Sequence, residues 1–150
     1  MESDLELVRR LLTAALLGGI IGFEREIHNK SAGLRTNILI ALGSALFTVM
    51  SSRLGDAPGT DLSRVASQIV VGVGFLGAGA IMRNGTDVKG LTTAATIWVN
   101  AALGVAVGGG EYHLAFIATG VTLAVLAALR PIERGIEGYH TRNRTPDSND

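Results

Sequence analysis

Gly90-Leu91-Thr92-Thr93-Ala94-Ala95-Thr96-Ile97-Trp98-Val99-Asn100-Ala101-Ala102-Leu103-Gly104-Val105-Ala106-Val107-Gly108-Gly109-Gly110 is a run of 21 residues without one Asp, Glu, Lys or Arg. A helix crossing the roughly 30 Å hydrocarbon layer needs about 20 mostly apolar residues, so this run is long enough to span. Outward from it, four more uncharged runs cover 11–23, 36–52, 65–82 and 112–129. A soluble domain of 150 residues carries charge along the outer face of its helices. Its interior is too small to hide five wholly apolar cylinders. Bulk composition agrees, with 47% hydrophobic and only 17% charged residues, against about 25% charged in soluble domains.

The pattern predicts an all-α polytopic membrane protein with five transmembrane helices over about 5–23, 36–53, 65–82, 91–108 and 112–129. The first span reaches full length only by starting near Leu5. Arg9 and Arg10 then sit one turn inside the boundary, where long side chains snorkel outward. Pro58, Pro131 and Pro146 all fall outside the runs, where they break no helical hydrogen bond. Residues 131–150 read as a short cytoplasmic tail, with at most a surface helix over 131–140 and a frayed polar end at 143–150. Of the 13 basic residues, nine fall on one side of the layer, namely Arg25, Lys30, Arg35, Arg83, Lys89, Arg130, Arg134, Arg142 and Arg144. The positive-inside bias therefore predicts an external N-terminus and a cytoplasmic C-terminus.

Several function classes recede. A formal net charge of zero offers nothing to nucleic acid, and the absence of cysteine removes thiolate chemistry and Cys-based metal sites. His28, His113 and His140 are scattered without metal-ligand spacing, and no carboxylate pair lies inside a run. No catalytic residue, metal site or cofactor is therefore expected, and an enzyme is the least favoured class.

Gly72-Val73-Gly74-Phe75-Leu76-Gly77 spells the dinucleotide-binding pattern, yet it lies inside an uncharged span rather than between a strand and a helix. Small residues inside membrane helices let a neighbouring backbone approach. Gly72, Gly74, Gly77 and Gly79 are expected to do this on span three, Gly18 and Gly22 on span one, and Gly104 and Gly108 on span four. Gln68 and Asn100 are polar groups at membrane depth and must find partners, as helix-to-helix glue or as the lining of a neutral pathway.

Polar residues gather with order at the cytoplasmic ends of the spans: Glu24, Arg25 and Glu26; Arg35, Thr36 and Asn37; Arg83 and Lys89; Thr92 and Thr93. Gly33-Leu34-Arg35-Thr36 and Gly90-Leu91-Thr92-Thr93 share Gly-Leu-x-Thr, which suggests two helical hairpins of the same orientation. Glu24 and Glu26 are then expected to face Arg35, Arg83 and Lys89, either as solvated turns or as a buried ionic cluster.

Four segments, Ile20-Ile21-Gly22-Phe23-Glu24-Arg25-Glu26, Ala32-Gly33-Leu34-Arg35-Thr36-Asn37, Ser67-Gln68-Ile69-Val70 with Gly74-Phe75-Leu76-Gly77-Ala78-Gly79-Ala80-Ile81-Met82, and Gly90-Leu91-Thr92-Thr93-Ala94-Ala95-Thr96-Ile97-Trp98, together resemble the MgtC/SapB family of bacterial inner-membrane proteins. The resemblance covers roughly residues 7–130 and implies five spans. It also implies a link to magnesium limitation and stress adaptation, in proteins regarded as regulators rather than magnesium carriers. One member is described as acting on the proton-translocating ATP synthase. Well-studied members add a cytoplasmic C-terminal domain, so the resemblance implies a short member lacking it.

Two functions are weighed. In the first, a small membrane regulator contacts other membrane proteins, or copies of itself, through helix faces in the lipid bilayer. In the second, a small-ion transporter or channel uses a neutral polar pathway through Gln68, Asn100, Thr93 and Thr96. The uncharged span cores speak against a Mg²⁺ route, since that ion dehydrates reluctantly and wants oxygen ligands.

Overall fold

The computed structural model describes residues 3–54 and 63–142, with side-chain placements apart from residues 54, 63 and 130–142. They form five helices, α1 (Asp4–Ile27), α2 (Leu34–Leu54), α3 (Ser63–Gly79), α4 (Leu91–Gly108) and α5 (Tyr112–Arg142), with a two-stranded hairpin β1 (Met82–Asn84) and β2 (Asp87–Lys89) between α3 and α4. Local chemistry sets the ends. Ser3 Oγ accepts the Glu6 amide at 3.3 Å to start α1, and Asn29, at φ 52, takes the left-handed conformation just past its end. Gly90 has φ 92, and a Cβ there would strike the Ala80 carbonyl oxygen, so only glycine lets α4 begin against the end of α3.

Three helices are long and apolar enough to cross a membrane, over Leu34–Arg53, Leu91–Gly108 and Tyr112–Leu129. The bounds of α4 coincide with the fourth expected span. α3 is shorter, its 17 described residues rising about 26 Å at 1.5 Å each. Span three, expected to reach Met82, stops as a helix at Gly79, and Met82–Asn84 instead pairs with Asp87–Lys89 across the Gly85-Thr86 turn. Gly85, at φ 62, supplies the positive φ that a two-residue hairpin loop demands. The hairpin also departs from the purely α expectation. The apolar stretch of α5, Tyr112–Leu129, coincides with the fifth expected span, and the helix runs on beyond it through Pro131 to Arg142.

The helices pack around α4, which touches each of the other four. One apolar cluster joins α1, α2, α4 and α5 through Leu17, Ile21, Ala45, Leu103, Val107 and Ala115. A second joins α2, α3 and α4 through Ile40, Ile69, Val73, Ile97 and Ala101. The outer faces are equally apolar: Phe75 is 81% exposed, Val71 68% and Ile117 67%. A water-facing surface of that kind would associate, whereas in hydrocarbon it is the expected exterior. The arrangement is that of a membrane protein.

At the end of the bundle where α1 starts, Arg10 Nη1 donates to the Gly108 carbonyl at 2.7 Å, placing a cation at the negative end of α4. The Tyr112 hydroxyl donates to Glu6 Oε1 at 2.8 Å, and Arg9 lies 4.9 Å over the Tyr112 ring. The two arginines expected to snorkel thus tie α1 to α4 and α5.

Candidate functional site

Four glycines bring α1 and α4 close against one face of α2, where Ala41 meets both Gly18 and Gly104. A Cβ on Gly18 would lie 2.6 Å from the Asn37 carbonyl oxygen, on Gly22 2.9 Å from the Asn37 Cβ, and on Gly108 2.7 Å from the Ala45 carbonyl oxygen. One on Gly104 would strike the Ala41 carbonyl oxygen. Backbones so close leave no space for water between them.

Asn37 and Asn100 are both fully buried. Asn100 Nδ2 donates to Asn37 Oδ1 at 2.7 Å and to the Thr96 carbonyl at 3.1 Å. Asn37 Nδ2 donates to the carbonyls of Ala32 and Gly33, both at 2.8 Å, so the same amide fastens α2 to α4 and holds the turn that opens α2. Sequence reasoning had placed these asparagines in separate groups, one in the cytoplasmic cluster and one at membrane depth. Asn100 Oδ1 has no hydrogen-bond partner among the described residues. Thr93 and Thr96 are buried on the same helix, and the Thr96 hydroxyl donates to the Thr92 carbonyl at 2.7 Å.

At the end of α1, Arg25 is only 1% exposed. Its Nε donates to Glu24 Oε2 at 2.6 Å and its Nη2 to Glu24 Oε1 at 3.3 Å, a two-pronged grip on the neighbouring residue. Its Nη1 has no hydrogen-bond partner among the described residues. His28 Nδ1 lies 2.7 Å from the Glu24 carbonyl oxygen. Glu26 accepts the Leu34 amide at 2.9 Å, a negative cap on the first turn of α2. A Cβ on Gly33 would collide with that carboxylate and displace it from the Leu34 amide. Glu24→Gln should therefore leave a buried guanidinium short of its counter-charge, at about 3–5 kcal/mol. Glu24→Gln with Arg25→Met should lose less, as read by denaturant unfolding in detergent micelles. A double variant as unstable as the single would contradict this account.

The expected encounter of Glu24 and Glu26 with Arg35, Arg83 and Lys89 does not form. All three cations are exposed, and none makes an ion pair among the described residues. Arg83 Nε instead donates to the Gly85 carbonyl at 3.1 Å within the hairpin. Each acid is drawn to a nearer group, Glu24 to Arg25 and Glu26 to an amide. Thr36 and Thr92 are exposed.

On the far side of α2 lies a feature that sequence reasoning missed. An open groove of about 800 Å³ separates α2 from α3, with Ile97 of α4 in its floor. Its walls include Leu39, Phe47, Val73 and Leu76, with Arg35 and Thr36 toward one end and Gln68 toward the other. Gln68 is exposed into this space and reaches neither asparagine. Gly72 and Gly79 line the groove; a Cβ added to either of them, or to Gly74, would meet nothing within 4 Å, while one on Gly77 would meet Ala94 at an ordinary 3.6 Å. The glycines of span three therefore receive no helix of this chain as closely as those of spans one and four do. The Gly-Leu-x-Thr openings do share a role: Leu34 starts α2 and Leu91 starts α4. No residue pattern announced the groove, because it arises from the splay of α2 from α3.

The MgtC family profile matches residues 11–135. The chain is 52% identical over 128 residues to a protein of Brucella abortus (strain 2308) named Protein MgtC, covering 85% of this chain and 52% of that one. It is 48% identical over 128 residues to the putative magnesium transporter YhiD of Escherichia coli (strain K12), covering 81% and 59%. It is also 48% identical over 124 residues to Protein MgtC of Salmonella typhimurium (strain 14028s), covering 82% and 52%. The chain thus spans about half the length of the curated relatives it matches. No solved structure matches.

Proposed function

The chain belongs to the MgtC family, and from that premise we propose that it is a small regulator in the bacterial inner membrane, acting through helix contacts with other membrane proteins. It crosses five times, with the N-terminus outside and the C-terminus in the cytoplasm, as the distribution of basic residues favours. The observation that carries the regulatory reading is the 2.7 Å bond between Asn37 and Asn100. The amides at membrane depth on α2 and α4 are engaged in joining helices, and the Thr96, Thr48 and Thr119 hydroxyls each donate to a carbonyl of their own helix. A transport route needs oxygens turned toward a path. By its printed name the Escherichia coli relative would suggest magnesium transport, but a hydrated divalent cation finds few such oxygens here.

The contact face is the outer side of α3, where Gly74 and Ala78 are exposed four residues apart, the small-xxx-small spacing that admits a foreign helix. A photo-crosslinking residue at Ala78, activated in native membranes, is expected to trap one discrete membrane protein. Adducts with lipid alone, or only with a second copy, would count against a client. Liposomes dense in the purified protein are expected to pass no ion, and flux lost on Gln68→Leu would favour transport instead.

A further inference from the structure

We propose that the groove between α2 and α3 holds an anionic phospholipid, its chains along the apolar walls and its phosphate at Arg35. The inference is independent of any protein client. The groove's apolar walls lie beside the lipid-facing surfaces of α2 and α3, and its volume of about 800 Å³ falls among cavities that take bound organic ligands. In a bilayer an open apolar groove of that kind fills with hydrocarbon. The charge at one end selects the headgroup.

Arg35 lines the groove and is exposed. It makes no hydrogen bond or ion pair among the described residues, in contrast to buried Arg25 and to Arg10. Ser31 and Thr36 line the same end and add hydroxyl donors. Lys89 is the residue before Gly90, which packs on the carbonyl of Ala80, part of the groove wall. Lys89 is also exposed and unpaired among the described residues. Two acids come near these cations, Glu26 from the end of α1 and Asp87 on β2. Glu26 is taken up by the Leu34 amide, and Asp87 sits on β2 opposite Asn84. The other end of the groove offers the neutral amide of Gln68. The asymmetry sets a phosphodiester at the Arg35 end, where a guanidinium can grip two oxygens at once. Basic pockets between membrane helices on the cytoplasmic side are a recurrent seat for acidic headgroups.

The test reconstitutes the whole chain in a bilayer of equal parts phosphatidylglycerol, cardiolipin and phosphatidylcholine. The protein is then re-extracted in mild detergent, and the retained lipids are counted by native mass spectrometry. The wild-type protein is expected to retain the two acidic lipids severalfold over phosphatidylcholine. Arg35→Gln should bring the ratio toward parity, Arg35→Lys should keep part of it, and Lys89→Gln should lower it less. Arg35 is exposed, so these variants should keep the wild-type circular dichroism and elution volume. Gly72→Leu, which fills an open wall position, should reduce retention of all three lipids together. Equal retention of acidic and zwitterionic lipid by the wild type would overturn the proposal. So would selectivity untouched by Arg35→Gln, or quantitative disulfide pairing of two copies through Gly72→Cys with no lipid retained.

Discussion

Gly104→Leu is expected to abolish recovery of monodisperse folded protein, and Gly104→Ala to lower its thermal midpoint well below that of wild type. A single methyl at this position would strike the Ala41 carbonyl oxygen and approach the Ser44 Cβ at 2.7 Å. The obstacle is backbone, which cannot rotate away. Overpacking a core commonly costs about 1–3 kcal/mol and sometimes more, and here relief requires moving α2 from α4, which also parts Asn37 from Asn100. Gly43→Leu and Gly72→Leu are the controls, since neither position has a neighbour within 4 Å, and both should fold. Wild-type stability in Gly104→Leu, measured by differential scanning fluorimetry in detergent, would refute the close approach of α2 and α4.

Asn37→Ala should lower stability by about 1–3 kcal/mol, the usual consequence of leaving buried polar partners without a bond. It withdraws one acceptor from Asn100 and two donated bonds from the carbonyls of Ala32 and Gly33. Asn100→Ala should lose less, because Asn37 would keep both of those bonds. The double variant should fall short of the sum by about 0.6 kcal/mol, the mean coupling of interhelical bonds in membranes, and by no more than about 1.7 kcal/mol. A double-mutant cycle closing at zero would show that the two amides do not act together.

The helices were legible wherever absence of charge and helix length coincide. α4 is the clearest case, bounded by Lys89 before it and Glu111 after it. Where they part, the run and the helix end at different residues. Met82 is uncharged and extends the third run, yet it belongs to a strand, and Gly85, first of the two loop residues, was the overlooked turn signal. Past Leu129 charge returns while α5 continues to Arg142, because charge marks where a membrane ends and not where a helix does.

The candidate site was legible as a set of residues rather than as an arrangement. Glycine spacing pointed to close packing on three spans; of those glycines Gly18, Gly22, Gly104 and Gly108 press on α2 too closely for a Cβ, whereas Gly77 meets Ala94 at ordinary distance and Gly72, Gly74 and Gly79 meet nothing within 4 Å. Spacing shows that a helix has a thin face and cannot show what lies opposite. The Asn37 to Asn100 bond spans 63 positions, beyond any local pattern. The ionic pairing failed for a related reason: exposed cations gain little from distant acids, and Glu24 and Glu26 had partners close by.

What the sequence alone determined is the solvent of this protein and the helical elements it permits, since uncharged runs of this length can bury their backbone polar groups in lipid only as helices. The tertiary structure decided which faces meet. In hydrocarbon all apolar faces are equivalent to the solvent, and only backbone proximity at a few glycines, one buried amide pair and the splay of α2 from α3 distinguish a packed face from an open one.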